Sequence, residues 1–154
     1  MMFHPHFFIA EMPQNEVRRM VYITGDTHGH DLISVHVFCD AHPELTKDDY
    51  LIIAGDFGGI WSKETLEKNL DVFSELPMTV LFVDGNHENF DLLEAYPEEI
   101  WKGGRVHRIR PDIIHLMRGQ VFRLDGMSVF AFGGATSLDR AFRTEVIIWW
   151  SREV

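Results

Sequence analysis

Three short apolar runs in this chain each give way to a glycine followed by a polar side chain. Val21-Tyr22-Ile23-Thr24 leads into Gly25-Asp26, Tyr50-Leu51-Ile52-Ile53-Ala54 into Gly55-Asp56, and Thr79-Val80-Leu81-Phe82-Val83 into Gly85-Asn86. Asp26, Asp56 and Asn86 follow one another at intervals of 30 residues, about the length of one strand–helix–strand unit. Helical candidates lie between the runs, from about Asp31 to Ala41 and from Lys63 to Glu75. In the second, Leu66, Leu70, Phe73 and Leu76 recur at spacings of three and four, which is one face of a helix. The runs are apolar nearly throughout, as expected of strands covered on both faces. This alternation predicts an α/β fold with parallel strands and right-handed crossovers. Such crossovers deliver Asp26, Asp56 and Asn86 to one carboxyl-end edge of the sheet, where open α/β sheets bind ligands.

Gly-Asp and Gly-Asn also close strands as ordinary turn dipeptides. Three at equal spacing, with His28 two residues after Asp26 and His87 directly after Asn86, favour a site over three unrelated turns. A set of carboxylate, imidazole and amide oxygen without thiolate suits a divalent ion such as Mn, Fe or Zn.

The charge balance bears on what such a site accepts. The chain has 14 Lys and Arg against 24 Asp and Glu, a net charge of −10 with His neutral. That argues against a broad basic face for nucleic acid. An anionic substrate would need local positive charge from metal ions or clustered arginines. Arg105, Arg108, Arg110 and Arg118 form one basic stretch, read as a solvated face. Cys39 is the single cysteine, so there is no internal disulfide and no Cys-rich zinc site. No apolar run reaches the ~18 residues of a membrane span, and the N-terminus lacks signal-peptide features. A cytoplasmic protein without a membrane partner is expected.

Residues 1–19 carry Pro5 and Pro13 without a sustained period and read as a poorly ordered appendage, with the folded unit covering 20–154. Closely spaced strand candidates fill the second half: Val106 to Ile109, Ile113 to Met117, Gln120 to Leu124 and Met127 to Phe132. Asp125-Gly126 between the last two suits a type I′ hairpin turn. His107 and His115, among strand residues, read as structural or exposed rather than as ligands. No phosphate-binding Gly-x-x-x-x-Gly-Lys loop is present, and His87-Glu88-Asn89-Phe90-Asp91 departs from the zinc-protease motif in its last residue.

Gly25-Asp26-Thr27-His28-Gly29, Gly55-Asp56-Phe57-Gly58-Gly59 and Gly85-Asn86-His87-Glu88 resemble, in order, the first three signatures of calcineurin-like metallophosphoesterases. The resemblance spans about residues 20–135, and Phe132-Gly133-Gly134-Ala135 resembles the entry to the second sheet in bacterial members. It implies a four-layer αββα sandwich with two divalent metal ions at the sheet edges. By position, Asp26 and His28 would hold the first ion, Asp56 would bridge both, and Asn86 would ligate the second. His87 resembles the family's catalytic histidine. His30 and Glu88 would orient ligands or touch substrate. The implied reaction is hydrolysis of a small phosphoester, with metal-activated water attacking phosphorus in line.

Two departures qualify this. The family's later histidine signatures find no match, since no His follows His115. We therefore expect a sandwich incomplete in its second sheet and C-terminal part, a truncated chain, and activity impaired by the missing ligands. Gly55-Asp56 is followed by Phe57-Gly58-Gly59 rather than the Asp-Arg-Gly of phosphoprotein phosphatases, which argues against a phosphoprotein substrate. The alternative from another class is a non-catalytic, phosphoesterase-like scaffold that binds a protein partner. A nuclease is disfavoured by the acidity, and the oligomeric state stays open.

Overall fold

A computed structural model describes residues 19–29, 32–137 and 150–153. Residues 1–18 of the expected appendage 1–19 and the candidate residue His30 lie outside these residues. Eight strands and three α-helices follow in the order β1 Val21–Thr24, α1 Ile33–Ala41, β2 Tyr50–Ala54, α2 Leu66–Ser74, β3 Thr79–Val83, α3 Phe90–Leu93, β4 Glu98–Trp101, β5 Gly104–Arg110, β6 Ile113–Leu116, β7 Gln120–Leu124 and β8 Met127–Ala131. A short 3₁₀ turn covers Ser151–Glu153.

The first six strands form one mixed sheet in the order β1-β2-β3-β6-β5-β4. β1, β2, β3 and β6 run parallel, while β5 and β4 are antiparallel additions. β7 and β8 form a separate antiparallel pair, the small second sheet, around the Asp125-Gly126 turn. Both turn residues have positive φ, +43° and +80°, as a type I′ turn requires. The mixed α/β architecture agrees with the expectation, with the second sheet small among the described residues.

Side-chain alternation divides each central strand between two cores. Tyr22, Leu51, Ile53, Val80 and Phe82 face the helices, where Leu70, Phe73 and Leu76 of the α2 stripe join Val35 of α1 and Leu93 of α3. Val21, Tyr50, Ile52, Leu81 and Val83 face the other way and meet Phe122, Leu124 and Ala131 of the hairpin. Double coverage explains why β3 is buried at every position. It also fixes register, because a one-residue slip would exchange the two cores.

β4 is the sheet's exposed edge. Its Glu98-Glu99-Ile100-Trp101 pattern is mostly solvent-facing and pairs on one side only, with β5. No helix among the described residues is long and apolar enough to cross a membrane.

Candidate metal centre

The parallel ladder continues past the strand ends into the loops. Asp26 N–H donates to Gly55 O at 3.0 Å, His28 N–H to Asp56 O at 2.9 Å, and Gly29 N–H to Phe57 O at 2.8 Å. Thr27, 2% exposed, donates its hydroxyl to Phe57 O at 3.0 Å. Gly55 N–H reaches back to Val83 O at 3.0 Å. The loops after β1, β2 and β3 are therefore laced side by side.

Within this lacing Asp26, His28 and Asp56 adopt left-handed φ of +60°, +47° and +49°. Non-glycine residues reach that region at a cost, and such residues gather at functional sites. Gly85 is needed beside them because a Cβ there would run into Asp56 Oδ1 and the Asp56 backbone.

Asp56 organises the third loop. Its Oδ1 accepts the N–H groups of Asn86 at 2.9 Å and His87 at 3.0 Å. Its Oδ2 faces His28 Nε2 at 3.8 Å, and Asp26 Oδ1 lies 2.7 Å from the same nitrogen. The rings of His28 and His87 meet edge to face at 4.6 Å. His28, Asp56 and His87 each offer a ligand atom, all within 4.8 Å of one another. Asn86 stands beside them, its amide nitrogen donating to Ser137 Oγ at 3.1 Å, an arrangement in which the amide oxygen is the atom left for a cation.

This donor set fits a divalent ion: the His28 imidazole and the Asp56 carboxylate lie in reach of one point with the Asp26 carboxylate against His28, and the His87 imidazole stands beside them. The surroundings point the same way. Asp26, Asp56 and Asn86 line a cleft of about 490 Å³ between the first sheet and the 129–135 segment. His28 and His87 line a second cleft of about 330 Å³ with Gly58, Trp61, Thr65 and Asn69. No Lys or Arg is among the described residues lining either cleft. The arginine stretch is spent on ion pairs: Arg105 with Glu98, Arg108 with Glu99, Arg110 with Glu67 and Asp71, and Arg118 with Asp84. Among the described residues lining these clefts, a phosphate finds no positive side chain, so bound cations would supply the charge it needs.

Glu88 is fully buried. Its Oε1 accepts the Phe57 N–H at 2.7 Å and its carboxylate lies 3.4 Å from the Gly58 N–H, fastening the third loop to the second. Burial pushes its pKa well above the usual carboxylate range, against the pull of those two N–H groups. It is thus placed beneath the site, not on its surface.

Other contributors carried no motif signal. Asp84, 2% exposed, receives His115 Nε2 at 3.0 Å and Arg118 Nε at 2.6 Å. Burial raises its pKa, but the hydrogen bonds from His115 and Arg118 outweigh this and hold it below the ordinary value. Asp84 O also accepts the Gly134 N–H, tying the third loop to the segment after β8. Trp61 lies beside His87, rings 6.1 Å apart and near parallel. Only its place five residues after Asp56 marks it in the sequence.

A family model described as calcineurin-like phosphoesterase matches residues 20–153. The chain belongs to the calcineurin-like phosphoesterase family. Members of this family hydrolyse phosphoesters and bind divalent metals, so the laced loops belong to a phosphoesterase domain. No curated protein and no solved structure matches the chain.

Proposed function

We propose that this phosphoesterase domain is a dinuclear, metal-dependent hydrolase of small phosphoesters, acting in the cytoplasm. The observation that carries the reading is the meeting of His28, Asp56 and His87 from three separate loops, ligand atoms within 4.8 Å, in clefts whose described lining holds no Lys or Arg.

Asp26 and His28 would hold one ion and Asn86 the second through its amide oxygen, with Asp56 the carboxylate that would serve both. Since Oδ1 of Asp56 already accepts two backbone N–H groups, its Oδ2 is the atom free for cations. Bound divalent ions supply charge neutralisation of the phosphate oxygens and acidify water. The remaining steps fall to the chain. Asp56 keeps the third loop seated through its two hydrogen bonds and so fixes where His87 stands. Water adds to phosphorus opposite the departing oxygen, and the bond from phosphorus to that oxygen breaks. His87 gives that oxygen its proton, a contribution of roughly 10²–10⁴-fold for a well-placed general acid.

Calorimetric titration with Mn²⁺, alongside hydrolysis of an aryl phosphate, tests this. Wild-type protein binds two ions and turns over. His87→Ala keeps Mn²⁺ binding and loses about 10²–10⁴-fold in kcat, whereas Asp56→Ala loses both. Turnover indifferent to chelation, or undiminished in His87→Ala, overturns the reading.

A further inference from the structure

The cleft on the imidazole side has features that metal binding and phosphate chemistry do not account for. His28 and His87 form one wall; the rest is Gly58, Trp61, Thr65 and Asn69. Trp61 is half-buried and turns its indole nearly parallel to His87, 25° between planes. It is held there from behind. Trp150, 1% exposed, meets it edge-on at 6.0 Å, and the Trp150 indole N–H donates to Asp91 Oδ2 at 3.1 Å. The backbone is fixed as well, because Asn89 Nδ2 donates to Trp61 O at 2.8 Å and Asn89 N–H to Ile60 O at 3.0 Å. Asn89 also caps α3, accepting the Leu92 N–H at 3.1 Å.

Trp150 is buried in the core, whereas Trp61 is only partly covered. Trp61 is instead a backed, partly open aromatic surface beside the imidazole proposed to protonate the leaving oxygen. The group attached to that oxygen must extend from His87, and this cleft of about 330 Å³ is the space adjoining the ring. A planar aromatic group stacks on such a platform with little dependence on its substituents. At the rim the Asn69 amide nitrogen donates to the Thr65 hydroxyl at 3.4 Å, which aims the rest of the amide group, suited to ring nitrogens or carbonyls.

We propose that Trp61, Thr65 and Asn69 form a leaving-group subsite that selects phosphoesters carrying a planar aromatic moiety, aryl or nucleobase-like, with Trp61 as the specificity-determining residue. This rests on the phosphoester reading of the site above.

The test measures Kd values of benzylphosphonate and methylphosphonate for the Mn²⁺-loaded protein by calorimetry, so that it does not depend on turnover. Wild-type protein prefers the benzyl compound. In Trp61→Ala that preference falls by about tenfold or more, and Trp61→Phe retains most of it. Taking the ratio separates selection from packing, since loosening His87 weakens both ligands alike. An absent preference in the wild type, or a preference unchanged in Trp61→Ala, overturns the subsite while leaving the phosphoesterase reading intact. If neither phosphonate binds, both proposals fall.

Discussion

Two histidine pairs put the same chemistry to different ends. His28 and His87 stand on loop tips beyond β1 and β3, rings edge to face at 4.6 Å and both open to solvent. His107 and His115 face each other across β5 and β6, 4% and 5% exposed, rings stacked at 5.3 Å and Nδ1 atoms 3.1 Å apart. Each pair has its carboxylate. Asp26, its side chain 78% exposed, lies 2.7 Å from His28; Asp84, 2% exposed, lies 3.0 Å from His115. In the interior pair both nitrogens of His115 and both oxygens of Asp84 have protein partners. With both rings neutral, His115 donates Nε2–H to Asp84 and accepts Nδ1–H from His107. In the surface pair a nitrogen of each ring and an oxygen of Asp56 gather within 4.8 Å of one another, with Asp26 against His28, at the rim of open clefts. What separates a cradle from a clamp is therefore desolvation and closure of the hydrogen-bond circuit, not residue type.

The sharpest way to test that contrast is to remove the acid from the interior pair. Asp84→Ala leaves the Arg118 charge and the His115 N–H without their buried acceptor and should cost about 3–5 kcal/mol, read as a lower urea midpoint. Asp84→Asn, which keeps an acceptor oxygen, should cost less. A loss below about 1 kcal/mol for Asp84→Ala would show that the network is not closed.

A smaller effect follows from pH. Burial lowers the pKa of His107 from its ordinary 6.5, the charge of His115 adds to this, and Glu98 and Asp84 pull weakly the other way. As pH falls, the unfolded chain takes up this proton before the folded one does. The stability His107 contributes is complete above pH 6.5 and is lost as pH drops toward the lowered folded value. Between about pH 7.5 and about pH 5.5 the thermal midpoint of the wild type should fall relative to that of His107→Asn, which keeps a donor but does not titrate, a comparison in which the opposite effect of the raised Glu88 cancels.

The smallest effect belongs to the surface pair. Asp26→Asn, which tolerates the left-handed φ of +60°, should shift stability by no more than about 0.5 kcal/mol, as for an exposed ion pair, while weakening Mn²⁺ binding in calorimetry. A large stability loss with Mn²⁺ affinity unchanged would erase the distinction between the two pairs.

The parts of the molecule written in local patterns were legible in the sequence. β1, β2, β3 and β7 have the expected bounds, because their apolar runs are cut off by glycine turns. The α2 stripe packs as its spacing implies. The three Gly-polar steps end on one edge because the crossovers between β1, β2 and β3 repeat in kind. β4 was missed, since two glutamates and an exposed Ile100 at an edge do not alternate; the Lys102-Gly103 turn, both residues at positive φ, was the available clue. The insertion of β6 beside β3 was not legible either. It depends on partner choice across 30 residues and more, and with it went the Asp84–His115–Arg118 network that this pairing creates. Within the site, Asn86 was legible while its partner Ser137, 51 residues on, was not.

The rungs between Asp26 and Gly55, His28 and Asp56, and Gly29 and Phe57 have one more consequence. They join the loops after β1 and β2 into one plate, and Asp56 and Glu88 fasten the third loop onto it, so the donors are held in place before a cation arrives. An incoming cation then loses its own hydration but need not organise the chain, and the entropy of ordering those residues is settled during folding. Loosening one rung should therefore register first as a slower, weaker capture of metal, well before any change in the fold's overall resistance to denaturant.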